Sequence, residues 1–473
     1  MNLITYKELK SRIERLAGFY QEQGLKQGDR VVLVIDNSIN YVIAFYAAWH
    51  LGAIVVALNP QSKDHEIEKS INLCQASLLA LEHGDLKRIS SFIHLDIEIL
   101  HLSDVIIQGA YRWQDALNCK PITTCSNLNK TSAAQIIFTS GTTGNPKGVL
   151  LSHHNLVQNT HDITDYLELT AEDSVFNVLP FHYSYGNSVL HTHLSVGAKI
   201  ILNGSMAFPQ DIVDKIRSSK ASGFSGVPST YSLLLTRSDW PDNPPALRYI
   251  TQAGGPMSQS LTHKLLNALN PRTKLYIMYG QTEASARITW LPPDFLDKKM
   301  GSVGIPLNSV KIEIRDQHGN VLKHNQNGEV YVAGDNIMKE YWNNPQATQK
   351  TLINGWLKTG DIGHIDKDGF LFLEGRNSDM IKVGAHRINP LELEEVINKL
   401  DFVNESAVIG VDDEILGQKL RAFVVGDESK NNQFFLKKHC NEYLPAHKIP
   451  RDIKWISQLP KTASGKLKRH QLI

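Results

Sequence analysis

The stretch Phe138 to His153, Phe-Thr-Ser-Gly-Thr-Thr-Gly-Asn-Pro-Lys-Gly-Val-Leu-Leu-Ser-His, restricts what this chain can fold into more than any other. Ile136-Ile137-Phe138 reads as the end of a strand and Gly148-Val149-Leu150-Leu151 as the start of the next, with the turn signal Asn145-Pro146 between them. The loop therefore joins strand to strand, not strand to helix. Thr139, Ser140, Gly141, Thr142, Thr143 and Gly144 have side chains no longer than a hydroxyl, so the backbone can aim successive N–H groups at a bulky anion, and Lys147 adds a positive charge. This is the equipment of a phosphate cradle; the plainer alternative is a surface hairpin rich in Ser, Thr and Gly. A Walker loop ends in Gly-Lys-Ser/Thr, whereas Lys147 follows Pro146 and precedes Gly148, which argues against an ordinary P-loop ATPase.

Around this loop the pattern is α/β. Thr5-x-x-Glu8 reads as a capping box, and Leu9, Ile13, Leu16 and Tyr20 follow at helical spacing to near Gly24. Val31 to Ile35 predicts a strand, Tyr41 to Trp49 a helix, and Ile54 to Val56 a second strand. Ser38 to Ser62 has no charged residue and approaches the length of a membrane span, but the break at Gly52 makes it a buried βαβ unit. Strand and helix patterns alternate to about residue 130, predicting a mostly parallel sheet covered on both faces, and the polar run Asn118 to Lys130 is a loop. A chain of 473 residues has room for a large domain and a smaller one. Its net charge of +1 supplies no global field for nucleic acid or a membrane surface. Cys74, Cys119, Cys125 and Cys440 lack Cys-x-x-Cys spacing, which argues for reduced thiols and against structural zinc. Met1 to Thr5 lacks the basic and apolar regions of a signal peptide, so a cytoplasmic location is expected.

Further along, strands run into glycines and polar residues. Val175 to Pro180 delivers Phe181-His182-Tyr183-Ser184-Tyr185-Gly186, where simple core packing is the alternative to a binding role. Gly226-Val227-Pro228-Ser229-Thr230 and Ala253-Gly254-Gly255-Pro256-Met257 each follow strand-like runs, and ordinary turns explain either alone. Leu275 to Tyr279 leads into Gly280-Gln281-Thr282-Glu283, which supplies a ring to stack a base, a hydroxyl for a phosphate and a carboxylate for magnesium. The competing reading of Glu283 is a helix-start charge paired with Arg287 one turn on. Gly301 to Gly334 alternates in short strands, suggesting an antiparallel subdomain. Trp356 to Asp361 places a carboxylate after a glycine, with an Asx-turn as the alternative, and Phe370 to Arg376 carries another strand into Gly375. Met380 to Ile388 reads as a hairpin, and Pro390 begins a helix with Glu392, Glu394 and Glu395 in its first turns. The closing run Leu459 to Arg469 is basic and by itself reads as a solvated tail.

Taken together, Thr139-Ser140-Gly141-Thr142-Thr143-Gly144-x-Pro146-Lys147-Gly148, Tyr279-Gly280-x-Thr282-Glu283, Gly360-Asp361, Gly375-Arg376 and Pro460-Lys461-Thr462-x-Ser464-Gly465-Lys466 resemble, in order, the motifs of the adenylate-forming superfamily. That superfamily comprises acyl- and aryl-CoA synthetases, nonribosomal peptide adenylation domains and beetle luciferases. The resemblance covers essentially the whole chain. It implies an α/β fold in which residues 1–376 form a large domain of mostly parallel sheets sandwiched by helices, with a small antiparallel β subdomain. Residues 377–379 would be a hinge and 380–473 a small mobile α+β C-terminal domain.

The same resemblance assigns the cradle, Thr139 to Gly144 and Lys147, to the β- and γ-phosphates of ATP. Gly254, Gly255 and Pro256 would border the adenine beside Tyr279 and Gly280. Thr282 would bind the α-phosphate, Glu283 a magnesium ion, and Asp361 and Arg376 the ribose. His182, Gly226 and Gly280 would face the acid, Ser378 and Asp379 would form the hinge, and Gly384 and Ala385 would line the thiol tunnel. Lys466 would touch both acid and α-phosphate as the main catalytic residue, with Thr282 and Glu283. Two places depart from the common pattern. Ser378 stands where most relatives have Asp or Lys, with the acid displaced to Asp379, and Gly384-Ala385 replaces a frequent Gly-Gly. His182 stands where domains selecting α-amino acids carry Asp, which favours a fatty or aryl acid.

The expected reaction is ATP-dependent conversion of a carboxylic acid to acyl-AMP with release of pyrophosphate, then transfer to a thiol, coenzyme A in the leading case. The runner-up is a stand-alone ligase loading the phosphopantetheine of an acyl carrier protein. From another class, a catalytically degenerate ATP-binding regulator would keep the fold without turnover. No nucleic acid partner and no integral membrane segment are expected.

Overall fold

The computed structural model describes residues 3–82, 86–102, 106–139, 146–202, 206–240, 246–376, 379–383, 386–413, 417–462, 465 and 467–472. The cradle residues Ser140 to Gly144, the hinge residue Ser378, the tunnel residues Gly384 and Ala385, and Lys466 lie outside them. The chain divides into two compact units: Met1–Leu202, Gln281–Arg287 and Gly334–Asn354 form the first, and Asn203–Gly280, Ile288–Ala333 and Gly355–Ile473 the second.

The first unit is built on an eight-stranded sheet in the order Glu340–Tyr341, Lys147–Ser152, Ala133–Thr139, Ile54–Ala57, Arg30–Val34, Leu78–Leu81, Glu98–His101, Tyr111–Arg112. From Ala133–Thr139 to the Tyr111 edge the pairings are parallel; the strands at the other edge are antiparallel. Alternation along the central strands explains the two cores. Val31, Leu33, Val55 and Ala57 enter one cluster with helix Ile39–Leu51, and Val32, Val34, Ile54 and Val56 enter another with Ile67, Ile71 and Phe92. The uncharged Ser38–Ser62 stretch is the βαβ unit anticipated from its sequence. Ser38 caps the helix by accepting from the N–H of Tyr41, and Gly52 ends it at φ +81°, a left-handed conformation suited to glycine. Among the described residues no helix is long and apolar enough to cross a membrane.

In the second unit the sheet runs Val310–Arg315, Gly328–Gly334, Trp356–Ile365, Leu371–Arg376, Ser302–Pro306, Thr289–Leu291, Lys274–Tyr279, Tyr249–Gln252, Gly223–Gly226. Its last three members pair in parallel, and the pairings from Lys274–Tyr279 back through Trp356–Ile365 to Gly328–Gly334 are antiparallel, as the short alternating pattern predicts. Residues beyond Asp379 carry their own core of Ile381, Ile388, Leu393, Val408, Val424 and Leu436, closed by a sheet of Val403–Asp413, Gly417–Gly426 and Asp452–Trp455. The basic run at the end is not a solvated tail. Arg469 donates from Nη1 and Nη2 to the buried Glu394 at 2.5 and 3.0 Å, Lys461 pairs with Glu405, and Lys461 bridges to Leu467. A carboxylate buried at that helix needs such a partner, which is why Glu394 does not remain a solvated first-turn charge.

Candidate active site

Thr139 and Lys147 face each other across the antiparallel pair that the cradle joins, and Thr139 Oγ1 donates to the Lys147 carbonyl at 3.4 Å. The strand-loop-strand reading is therefore correct at both ends of the loop. Its strand Lys147–Ser152 is flanked on the other side by Glu340–Tyr341, with Trp342 N–H donating to the Gly148 carbonyl at 2.7 Å. A Cβ on Gly148 would lie 2.9 Å from Ile136 and 3.3 Å from Trp342, so this position of the strand accepts only glycine without displacement.

Thr282 and Glu283 sit in the first unit on a short 3₁₀ turn, Thr282–Ala284. Thr282 Oγ1 donates to Ser184 Oγ at 3.3 Å, and Glu283 Oε1 accepts from the Tyr341 hydroxyl at 2.7 Å. Lys147 Nζ stands 5.0 Å over the ring of the same tyrosine, within range of a cation–π contact. One aromatic side chain thus links the cradle lysine to the carboxylate. The expected alternative, an i,i+4 pair between Glu283 and Arg287, is not formed. The backbone leaves the helical region at Ser285, φ +54°, and Ala286, φ +96°, so Arg287 no longer follows Glu283 by one turn. Its guanidinium is buried, lies 4.8 Å over the Tyr185 ring and is 3.5 Å from Ser188 Oγ.

His182 is 9% exposed and lies against Tyr183, the two rings tilted by 48° with centroids 4.3 Å apart. Among the described residues its Nε2 has no hydrogen-bond partner. Burial pushes its pKa down to about 4 despite the opposing pull of Asp36, so the ring is neutral at pH 7. The loop bearing it is held from both sides. Asn37 donates to the Leu179 carbonyl at 2.7 Å and accepts from the Phe181 N–H at 2.8 Å. A Cβ on Gly186 would meet the Pro180 carbonyl at 2.2 Å, so the helix Ser184–Ser195 can begin this close only with glycine there.

In the second unit Asp361 occupies the middle of strand Trp356–Ile365 and not an Asx-turn. It accepts from the Tyr279 hydroxyl at 2.5 Å through Oδ2 and from Arg376 Nε at 3.2 Å through Oδ1. Burial and the adjacent carboxylate hold the Tyr279 phenol well above its usual pKa. Tyr279 therefore serves Asp361 as a neutral donor. Gly254, at φ +86°, approaches Val227, and Gly255 accepts from Gln252 Nε2 at 2.9 Å while lying beside Pro228. Gly465 comes against the same segment, where a Cβ would lie 2.8 Å from Val227 and 3.0 Å from Ser229 Oγ. Gly226, Gly254, Gly255 and Gly465 are thereby gathered around Val227 to Ser229, and Pro256 follows on the exposed side. Gly280 continues from Tyr279 at the strand end. Asp379 N–H donates to the Arg376 carbonyl at 3.1 Å, and its carboxylate is 3.9 Å from Arg469 Nε.

The family pattern of the AMP-binding enzymes matches residues 2–342, and that of their C-terminal domain matches residues 392–466. The chain belongs to the AMP-binding enzyme family. Within it the chain is 32% identical to 2-succinylbenzoate–CoA ligase from Bacillus licheniformis, over 99% of this chain and 94% of that one. It is 29% identical to a long-chain-fatty-acid–CoA ligase from Yersinia pestis, over 99% and 89%. Among solved structures, the anthranilate CoA ligase complex with anthranoyl-AMP superposes with a TM-score of 0.92 at 25% identity, covering 98% of this chain and 91% of that one. The o-succinylbenzoate CoA synthetase of Bacillus subtilis, bound to its acyl-adenylate, gives 0.86 at 28% identity over 100% and 93%. The fold is thus that of the adenylate-forming ligases, and the chain is an AMP-forming acid–thiol ligase. Sequence motifs alone did not single out Tyr341, Asn336 or Ser184. The adjacent aromatics Tyr341-Trp342 beside a polar turn were the available signal, but their side chains bond to Glu283 and Leu73, 58 and 269 residues away.

Proposed function

We propose that this enzyme couples ATP cleavage to formation of an acyl-CoA thioester from an aryl or fatty acid, with acyl-AMP as the intermediate. The observation that carries the choice of acid is His182: a buried, neutral imidazole offers no fixed negative charge to an α-ammonium group. The similarity to ligases for succinylbenzoate, anthranilate and long-chain fatty acids supports the same choice, and aryl acids head the panel to be tested.

A carboxylate resists attack because oxide would have to leave from an anion; joining it to AMP makes a phosphate the leaving group. Bringing two anions together requires cations and oriented donors where charge builds. In this assignment the cradle Thr139 to Gly144 and Lys147 bind the β- and γ-phosphates, and Thr282 binds the α-phosphate. Lys466 spans acid and α-phosphate, and Asp361 with Arg376 holds the ribose. Gly254, Gly255, Pro256 and Tyr279 flank the base, and His182, Gly226 and Gly280 flank the acid. The donor set at Glu283 fits magnesium: a single hard carboxylate suits an ion that keeps its waters and is held mainly by phosphate oxygens. When bound, magnesium supplies charge neutralisation on the polyphosphate.

The division of labour between domains follows the same reading. Residues 1–376 would carry the nucleotide and acid, and 380–473 would bring Lys466 for adenylation. Rotation about 377–379, at Ser378 and Asp379, would then present Gly384 and Ala385 to the thiol. Coenzyme A is the acceptor favoured by the relatives' activities; a carrier-protein phosphopantetheine is the competing acceptor, and the mass of the thioester product decides between them.

One substitution tests the ribose assignment. Asp361→Asn preserves shape but removes the charge that Arg376 and Tyr279 address, and hydrogen bonds to a charged group are worth about 1.5–3 kcal/mol. The KM for ATP is expected to rise at least about tenfold, with a smaller change in kcat. An unchanged KM would remove Asp361 from the nucleotide site.

A further inference from the structure

The segment Gly334–Trp342 touches the stretch Glu283 to Arg287 at three successive points. Asn336, fully buried, donates from Nδ2 to the carbonyls of Ala284 at 3.2 Å and Arg287 at 2.7 Å, and its own carbonyl accepts from Ser285 Oγ at 2.7 Å. Met338 N–H donates to the Glu283 carbonyl at 2.8 Å. Tyr341, 5% exposed, then donates to Glu283 Oε1 from beneath Lys147. Between these contacts Lys339 N–H reaches the Leu150 carbonyl at 2.9 Å, so the segment is pinned to the strand that leaves the cradle.

This arrangement stabilises a backbone that would otherwise relax. Ser285 and Ala286 are consecutive non-glycine residues at positive φ, and such positions persist only where the surroundings over-determine them. A carboxylate on a turn of three residues has several rotamers open to it. The Tyr341 hydroxyl fixes one of them, occupying Oε1 and orienting Oε2, which among the described residues has no partner.

We infer that Tyr341 is a positioning residue for the divalent cation: it holds the Glu283 carboxylate with one oxygen presented, and the Asn336 and Met338 contacts hold the turn beneath it. The inference rests on Glu283 being the metal ligand. Groups of this kind, which bond to a ligand and not to the metal, typically change metal affinity by about 10- to 100-fold when removed. The phenol acts on Glu283 directly, whereas its ring packs under Lys147, so the two contributions separate on removing a single oxygen.

The test is Tyr341→Phe, with Mn²⁺ as a paramagnetic stand-in titrated into enzyme saturated with ATP and followed by electron paramagnetic resonance. Tyr341→Phe is expected to weaken Mn²⁺ binding about tenfold, raise the Mg²⁺ concentration for half-maximal turnover in step, and leave the melting temperature near that of the wild type. Glu283→Gln serves as the reference variant. If it weakens Mn²⁺ binding and Tyr341→Phe does not, the positioning role is overturned. If Glu283→Gln itself leaves Mn²⁺ binding unchanged, the underlying assignment of Glu283 fails instead. Should Tyr341→Phe not fold, electron–nuclear double resonance on enzyme carrying ring-deuterated tyrosine at position 341 alone provides the second measurement. A deuteron coupling to bound Mn²⁺ supports the role, and its absence overturns it.

Discussion

Lys466→Ala is expected to slow acyl-AMP formation by about two to three decades, the usual cost of removing one preorganised charge from a transition state. The same variant should form thioester from supplied acyl-AMP at a rate much closer to the wild type. The reason is electrostatic: adenylation drives a carboxylate onto a phosphate, and Lys466 is the charge assigned to both, whereas thiol attack on the mixed anhydride proceeds with the AMP leaving group already in place. Gly465, its neighbour, lies against Val227 and Ser229, in the segment assigned to the acid and base pockets. Single-turnover measurement of each half-reaction is the check. Equal losses in both would refute the two-pose account, and full adenylation activity in a folded variant would remove Lys466 from the site.

Acidification from pH 7.5 to 5 should destabilise the protein by several kcal/mol through neutral buried histidines. Burial pushes His191 down to about 3, helped by neighbouring His153, and His182 down to about 4; His153 is lowered as well, again by burial. In the unfolded chain these rings titrate near 6.5. A group whose folded pKa is depressed contributes its full stability above the unfolded value and loses it as pH falls toward the folded one. Here that window runs from about 6.5 down to 4 for His182 and to 3 for His191. Each ring contributes a slope of about 1.4 kcal/mol per pH unit, so the two together remove about 4 kcal/mol by pH 5. That is a large share of the roughly 5–15 kcal/mol that usually stabilises a domain. Tyr46 donates to His191 Nδ1 at 2.7 Å and Asn187 Oδ1 lies 3.0 Å from its Nε2, a neutral ring fully used as donor and acceptor. Urea denaturation at several pH values should show the loss, and His191→Gln should flatten the slope by about one histidine's share. A stability independent of pH between 7.5 and 5 would contradict the assignment of neutral buried rings.

Local patterns were legible wherever a strand met glycines and hydroxyls. The cradle's flanking strands, the Ser38-capped helix, the strand entering Tyr279-Gly280 and the hairpin after Met380 all appear where periodicity and turn chemistry place them. What the sequence concealed were consequences of chain return. Arg287 looked like a partner for Glu283 because helical spacing was assumed; two residues at positive φ remove that spacing, and their stabilisation comes from Asn336, some 50 positions later. Asp361 looked free to cap a turn because its partners, Arg376 across the neighbouring strand and the Tyr279 hydroxyl, lie 15 and 82 residues away in sequence. Glu394 read only as one of three acids in a helix's first turns, with no local signal that Arg469 is its partner. In each case the deciding contact is between residues distant in sequence, which local pattern cannot register.

The most direct measurement is acid-dependent exchange of labelled pyrophosphate into ATP, run across a panel of aryl, fatty and α-amino acids, followed by the mass of the product with coenzyme A or carrier protein. The account predicts exchange that requires both Mg²⁺ and an aryl or fatty acid, no exchange with α-amino acids, and a thioester whose mass matches the stimulating acid. Binding of ATP without exchange for any acid would contradict it.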